Sequence, residues 1–248
     1  MRAPVDTITA PPFLTHLRWV NSKALRMERE LGHPVLIEFW DFCRPNSMRT
    51  LPYMQAWQER YEADGLRVIG IHSPGFEPAR ERAAAQAAVA RLGISYPVLL
   101  DPDLEMWVVY ENRGWPARYL FDGGGRLFDY HYGEGAYVET ELAIQELLGV
   151  EREPMGPVRP EDTTGATLLA QTEDQPGAYN GPYEAGGVWA VLQGSGGVRV
   201  NGVSLEVEHP GAYPLVEHER HTAGVLALEL DRGVQCHATC FTPGLAGD

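Results

Sequence analysis

The hydrophobic pattern of the sequence changes its period near residue 150. Before that point, Met48, Leu51, Met54, Trp57 and Tyr61 recur three or four residues apart, which is the spacing of one face of an α-helix. Beyond residue 163, apolar and polar residues alternate, which is the period of a half-buried β-strand. The segment 150–163 holds three prolines and no hydrophobic periodicity, a composition typical of linkers. The pattern therefore predicts two domains of different class.

The first part of the chain alternates predicted strands and helices. A mostly apolar run, Val35–Trp40, precedes a helix that we expect to begin at Pro45, because proline is favoured in the first turn of a helix, and to end near residue 63. The further predicted elements are a strand at 66–71, a helix at 77–92, a strand at 98–100, a helix at 104–112, a hairpin pairing 117–121 with 127–131, and a helix at 138–148. This alternation predicts an α/β domain with a mixed central sheet flanked by helices.

The second part is predicted to consist of strands. Residues 198–200 and 203–207 alternate on either side of Asn201-Gly202, which is a strong signal of a type I′ hairpin. Cys236 and Cys240 lie four residues apart in another alternating run. Because four residues of strand span about 13 Å, these two thiols are too far apart for a disulfide, and the alternation predicts that both point into an apolar core. We predict an all-β antiparallel sandwich.

Several segments of the first part resemble a known family. Residues 39–53 read FWDFCRPNSMRTLPY and resemble the active-site loop of DipZ-type, TlpA-like proteins of the thioredoxin (redoxin) superfamily. The other similar segments, in the family's order, are WVNSKALRM upstream and GLRVIGIHSPGF, GISYPVLLDPD, NRGWPARYLFDGGGR and HYGEGAYVETE downstream. The resemblance implies a thioredoxin-like domain over 13–149 and, more loosely, a sandwich similar to a carbohydrate-binding module over 164–248. Residues 1–12 are then a disordered or extended N-terminus, and 150–163 a linker.

The loop that carries the resemblance lacks the family's Cys-x-x-Cys motif. The family loop reads approximately FWTYSCINCIRTLPY, and a gap-free alignment places Arg44 and Ser47 at its two cysteines, with Cys43 one residue early. A second alignment matches Cys43-Arg-Pro-Asn46 with Cys-Gly-Pro-Cys and puts Asn46 in the resolving position. We favour the first, because it needs no insertion or deletion. The predicted active-site loop comprises Trp40, Arg44, Pro45, Asn46 and Ser47, together with Cys43.

The sequence leaves the reactivity of Cys43 open. Arg44 and the N-terminus of the following helix favour a thiolate at this position, whereas Asp41 and Glu38 disfavour it. The exposure of the Cys43 thiol discriminates between two roles, because a buried thiol leaves only a binding role for the loop.

Two further positions acquire candidate roles through the resemblance. Glu38 corresponds to a buried carboxylate that accepts a proton during thiol–disulfide exchange, and the alternative is a hydrogen-bonded carboxylate at a strand end. Trp115-Pro116 corresponds to a cis-proline that faces the active-site loop and borders a groove for extended substrates. We therefore predict a cis bond at Pro116, beside residues 43–47.

Composition narrows the classes of partner. The formal charge is −14, from 20 basic and 34 acidic residues, which argues against nucleic acid and anionic membranes as partners. No stretch approaches the roughly 20 consecutive apolar residues of a membrane span, and the N-terminus does not read as a signal peptide; we therefore expect a cytoplasmic location. No cofactor and no metal site are predicted, since His218-Glu-Arg-His221 with His209 fits no strong ligand motif.

Two functional hypotheses follow. In the first, the chain is a thiol–disulfide oxidoreductase-like or thiol-antioxidant protein without its dithiol, in which residual chemistry involves Cys43 and Glu38 and the partner is a protein thiol. In the second, it is a non-catalytic module that binds an extended peptide in the groove, or a small ligand or carbohydrate on the sandwich. The residues that suggest a sugar-stacking platform are Tyr179, Tyr183, Trp189 and Tyr213.

Overall fold

The computed structural model describes residues 7–247, and the chain forms two compact units. The first contains the residues up to Asp41 together with Arg49–Gly156, and the second contains Phe42–Met48 together with the residues from Pro157 onward. The short segment Phe42–Met48 is thus grouped with the C-terminal part of the chain. Of the predicted N-terminal segment 1–12, residues 1–6 lie outside the described residues, whereas Thr9 pairs with Arg126 in an isolated antiparallel bridge.

The first unit is built on a six-stranded mixed sheet. Its strands are β1 (Arg18–Val20), β2 (Val35–Trp40), β3 (Arg67–His72), β4 (Val98–Leu100), β5 (Ala117–Phe121) and β6 (Leu127–Tyr132). They lie in the order β1-β4-β3-β2-β5-β6, with β2, β3 and β4 parallel and the other neighbours antiparallel. The α-helices of the chain are α1 (Pro45–Tyr61), α2 (Arg82–Arg91), α3 (Glu105–Val109) and α4 (Tyr137–Leu148). This is the predicted α/β thioredoxin-like architecture.

Two of the predicted helices are wrong in extent. The helix expected at 77–92 is divided into a 3-10 turn and α2, because Glu81 between them is extended at φ −69° and ψ 117°. The helix expected at 104–112 is reduced to α3, because Leu104 and Glu111 adopt left-handed backbone angles with φ of 61° and 49°. A right-handed helix cannot continue through such residues.

Both faces of β2 are buried. Val35, Ile37 and Phe39 belong to the apolar core of the first unit. Glu38 and Trp40 point to the opposite face because side chains alternate along a strand, and they too are only 1% exposed. A central strand of a sheet covered on both sides has this pattern, so the carboxyl of Glu38 is held inside the protein.

The second unit is an antiparallel β-sandwich. Its strands are β7 (Leu168–Leu169), β8 (Gln175–Pro176), β9 (Gly181–Gly194), β10 (Gly196–Val200), β11 (Val203–Val207), β12 (Gly211–Leu226), β13 (Leu228–Leu230), β14 (Val234–Thr242) and β15 (Gly244–Leu245). They form sheets ordered β12-β9-β14-β8, β11-β10-β13 and β15-β7. Residues of the first two sheets share one apolar core. Asn201 and Gly202 have φ of 49° and 85°, as a type I′ hairpin requires.

A β-bulge corrects the prediction that Cys236 and Cys240 share one face. The register of β14 on β9 shifts between Cys236 and Ala238, so that Cys236 lies opposite Leu192 but Cys240 lies opposite Trp189. Cys236 and Leu192 contact the sandwich core, whereas Trp189 and Cys240 are on the other face of the sheet. One extra residue in a strand reverses the alternation that follows it.

Within residues 7–247, no helix combines the length and the apolar character needed to cross a bilayer. Between residues 164 and 242 the described chain contains no helix, and none of the sheets combines strands of the two units.

Candidate active site

The carboxyl ends of β2 and β3 carry a buried acid–imidazole pair. Asp41 follows β2, and its Oδ1 lies 3.7 Å from Nε2 of His72, the last residue of β3. Neither side chain is more than 2% exposed. The backbone N–H of Gly75 donates to Asp41 Oδ2 at 2.8 Å. Asp41 therefore ties the end of β2 to the loop that follows β3.

A second buried carboxylate organises the adjacent turn. Asp101, after β4, accepts hydrogen bonds from Ser73 Oγ at 2.7 Å and from the backbone N–H groups of Met106 and Trp107 at 2.9 and 3.0 Å. Burial raises the pKa of Asp101, and these hydrogen bonds partly offset that rise. The Trp115 indole donates to Ser73 O at 2.8 Å. Asp101 thus links the end of β3, the start of α3 and the residue before Pro116.

Replacing Asp101 with alanine is expected to lower the free energy of unfolding of the first unit by about 1–3 kcal/mol, because buried donors lose their acceptor. Urea titrations followed by first-unit NMR signals measure this loss. Asp103→Ala is the matched control, since Asp103 is exposed on the same turn. Equal losses in the two variants would contradict the role given to Asp101.

The Trp115–Pro116 peptide bond is cis, which is the geometry expected from the sequence. Ala117, the next residue, pairs with Phe39 near the end of β2, so Pro116 lies at the same edge of the sheet as Asp41. The Trp115 ring packs on Trp107 with centroids 4.0 Å apart. The proximity of Pro116 to residues 43–47 stays a prediction.

Glu38 is a buried carboxyl in the middle of the sheet. It is 1% exposed, and burial raises its pKa to about 8 although Arg118 acts to lower it. Its neighbours across the sheet are Gly70 on β3 and Arg118 on β5. At this pKa the carboxyl is largely protonated at neutral pH, so it can give or take a proton near pH 7.

Arg118 is a residue that the sequence reasoning missed. It is 1% exposed, and its guanidinium carbon lies 5.6 Å from the Trp57 ring centroid and 5.0 Å from that of Tyr137. Its Nη2 donates to Gly135 O. The aromatic faces and the carbonyl stabilise a cation inside the protein. The available signal was one arginine within the otherwise apolar strand ARYLF.

Residues 43–47 of the predicted loop lie in the second unit and are mostly buried, whereas Trp40 belongs to the first unit. Cys43 is 0% exposed and forms no disulfide. Its neighbour Phe42 accepts a backbone hydrogen bond from Ala212 N of β12 at 3.1 Å. Pro45 and Ser47 are also buried, whereas Asn46 is exposed. Within this unit the loop backbone is therefore bonded to a strand of the sandwich.

Cys240 is unsuited to act as a resolving thiol. It is 4% exposed, and burial, followed by the carboxylate of Asp174, raises its pKa, with Arg44 acting in the opposite direction. Burial also raises the pKa of Cys236. Both thiols are thus held protonated, and it is the thiolate that reacts.

The aromatic residues of the sandwich do not form an exposed platform. Tyr183 and Trp189 are 4% and 9% exposed, and Tyr179 and Tyr213 pack against the core. Carbohydrate binding is therefore not supported. His218 Nε2 lies 2.9 Å from Tyr183 Oη, and in the described part of the chain no group of three or more His, Cys, Asp or Glu residues is placed to hold a metal ion.

Comparison with known proteins supports the thiol–disulfide class. The chain is 34% identical over 176 residues to Protein DipZ of Mycobacterium tuberculosis, a match that covers 70% of this chain and 25% of DipZ. It is 25% identical over 148 residues to the thiol-disulfide oxidoreductase YkuV of Bacillus subtilis, which covers 60% of this chain and 96% of YkuV. The chain thus spans a quarter of the length of DipZ. No protein-family model matches it.

Solved structures agree on the fold. A thiol-disulfide isomerase from Corynebacterium glutamicum superposes with a TM-score of 0.51 at 23% identity, over 57% of this chain and 98% of that one. The mixed sheet, the cis-proline edge and the similarity to DipZ and YkuV agree with one another. The chain therefore belongs to the redoxin family of thioredoxin-fold proteins.

Proposed function

We propose that this chain is a thiol–disulfide oxidoreductase-like protein that has lost dithiol exchange. The observation that carries the proposal is the complete burial of Cys43 in a loop without a second cysteine. Disulfide reduction with turnover needs an accessible thiolate and a second thiol that resolves the mixed disulfide. Ser47 can donate a hydrogen bond but cannot form a sulfur–sulfur bond, and Arg44 has no nucleophilic character.

While Cys43 is buried, the loop is left with a binding role only, and the one exchange that remains at Cys43 requires local opening that exposes the thiol. Once accessible, the Cys43 thiol loses its proton to water, and the resulting thiolate sulfur attacks a disulfide of a protein partner. A Cys43–partner disulfide forms, and the second partner sulfur leaves as a thiolate. Without a neighbouring thiol, the adduct persists until an external thiol reduces it.

A disulfide-reductase assay with dithiothreitol as the electron source tests this function. We expect the native protein to match the uncatalysed rate, because a trapped adduct gives at most one turnover. Cys43→Ser should show the same rate of disulfide reduction. Ser47→Cys adds a second thiol to the loop and measures whether the lack of that thiol limits turnover. Multiple turnover by the native protein that disappears in Cys43→Ser would overturn the proposal.

The burial of Cys43 also favours a second candidate, a non-catalytic peptide-binding role. The half-exposed Trp115 beside the cis-proline is the reporter for it. Adding an unfolded polypeptide with blocked cysteines should shift the NMR signal of the Trp115 indole N–H in both native protein and Cys43→Ser. An unchanged signal at millimolar peptide counts against this role.

A further inference from the structure

The segment that follows α4 is bonded to the first unit although it has no regular secondary structure. We call residues 150–155 the strap; their composition is that of a linker. The backbone N–H of Arg152 donates to Gln145 Oε1 at 2.9 Å. The backbone N–H of Met155 donates to Glu141 Oε2 at 2.9 Å. Gln145 and Glu141 lie one turn apart on α4, so the strap runs back along this helix.

The inner end of the strap completes the surroundings of a buried carboxylate. Glu141 is 1% exposed, and two side chains of α1 donate to it. Trp57 Nε1 lies 3.2 Å from Glu141 Oε2, and Tyr61 Oη lies 2.6 Å from Glu141 Oε1. The N–H of Met155 is the third donor. Because a buried carboxylate needs its hydrogen bonds, the strap and α1 together stabilise Glu141.

The outer end of the strap places a guanidinium at the C-terminal end of α1. Arg152 Nη1 lies 2.7 Å from Asp64 Oδ2, and Nη2 donates to Asp64 Oδ1 at 2.9 Å. Nη1 also donates to the backbone carbonyl of Arg60 at 2.7 Å. The guanidinium carbon lies 5.3 Å from the centroid of the Tyr61 ring. Two parallel contacts with one carboxylate form the bidentate geometry that the planar guanidinium provides and an ammonium does not.

The end of α1 supplies what a guanidinium requires. The carbonyl groups of the last turn of a helix have no partner within the helix, and Arg60 O is one of them because α1 ends at Tyr61. The negative end of the helix dipole also favours a cation. The Arg60 side chain binds the strap in turn, since its Nη2 donates to Glu153 O at 2.6 Å. A carboxylate, a carbonyl and an aromatic face thus surround one guanidinium.

We propose that the C-terminal end of α1 is a guanidinium-binding site, that Arg152 of the same chain occupies it, and that this occupancy clamps the strap onto the first unit. The side chains of Arg152 and Asp64 are 41% and 22% exposed, so the strap opens locally without unfolding of the unit. Opening separates the N–H of Met155 from Glu141. The site involves only residues of the first unit and does not depend on Cys43 or on thiol exchange.

Amide hydrogen exchange of Met155 in the full chain tests the clamp. Loss of hydrogen bonds to charged groups should make this amide exchange roughly tenfold faster in Arg152→Ala than in native protein. Arg152→Lys should exchange nearly as fast as Arg152→Ala, because lysine keeps the charge but lacks the bidentate fork. Residue 152 is not adjacent to Met155, so its intrinsic exchange rate is unchanged. Glu151→Gln is the matched control, since Glu151 is exposed on the strap, and it should keep the native rate.

Two results would overturn the proposal. A native exchange rate of Met155 in Arg152→Ala would show that the guanidinium does not hold the strap. A native rate in Arg152→Lys would show that any cation is sufficient, so that the site does not select a guanidinium. Amides of β2 should exchange at the native rate in every variant, which verifies that the first unit stays folded.

A double variant tests the pairing of Arg152 with Asp64. Asp64→Asn removes the charge of the carboxylate, and combining it with Arg152→Ala should not speed Met155 exchange beyond Arg152→Ala alone, because both changes remove one interaction. An effect equal to the product of the two single effects would show that the two side chains act independently and would contradict the proposed site. None of these measurements involves disulfide reduction, so they succeed or fail separately from the reductase assay.

Discussion

In the native protein, the free energy of unfolding is expected to decrease strongly as the pH rises above 7. Glu38→Gln is expected to prevent this decrease. The pKa of Glu38 rises from 4.5 to about 8 on burial, so the folded chain binds this proton more tightly than the unfolded chain. The stabilisation of the folded state by this bound proton is fully present below pH 4.5 and is lost as the pH rises through about 8. The difference corresponds to at most about 5 kcal/mol. Glutamine stays neutral and avoids this loss.

Urea titrations at pH 5, 7 and 9, followed by methyl signals of Ile37 and Ile71 in the first unit, measure the effect. Native protein should lose several kcal/mol between pH 5 and pH 9 that Glu38→Gln retains. Glu59→Gln serves as the control because Glu59 is exposed on α1, and it should follow the native profile. A native-like pH dependence in Glu38→Gln would show that Glu38 does not carry a raised pKa.

The second large effect concerns alkylation of Cys43. Because this thiol is 0% exposed, a reagent reaches it only after local opening. We expect native Cys43 to react at least about a thousand-fold more slowly than Cys43 in urea-unfolded chain, a factor that corresponds to about 4 kcal/mol. Mass spectrometry of timed iodoacetamide reactions assigns the label to each cysteine. Native Cys43 reacting within tenfold of the unfolded rate would contradict the burial and reopen catalytic exchange.

Ala212→Pro tests what holds the loop closed. It removes the N–H that bonds Phe42 O, and β12 is an edge strand of its sheet, where proline is tolerated. The loss of one hydrogen bond, about 0.5–1.5 kcal/mol, should speed Cys43 labelling by roughly 2–12-fold. Ala212→Ser keeps the N–H and is the matched control. Equal rates of Cys43 labelling in the two variants would show that this hydrogen bond does not limit access to Cys43.

Local sequence signals determined most of the regular elements. The run at 35–40 and the run at 98–100 became strands with those limits, because short, mostly apolar runs are typical of strands that are buried on both faces of a sheet. Pro45 begins α1 as expected, and Asn201-Gly202 forms the expected turn. In each case the deciding residues are neighbours in sequence, so no distant contact was needed.

The sequence also indicated which residues form the candidate site, but it did not indicate whether Cys43 is exposed or buried. The resemblance indicated a buried carboxyl at Glu38 and a cis bond before Pro116, and the structure contains both. It could not indicate the exposure of Cys43, because that depends on chain segments remote in sequence. The bond between Phe42 O and Ala212 N is one such contact.

What the sequence determined by itself is the fold class and the absence of a Cys-x-x-Cys motif. Only the tertiary structure decided the surroundings of Arg118, because Trp57 and Tyr137 come from helices far from β5 in the chain. It also decided on which face of the sheet the Cys240 side chain lies, since one extra residue in β14 reverses the alternation of side chains. Periodic patterns specify which residues are apolar, but packing between distant segments specifies what each buried polar group faces.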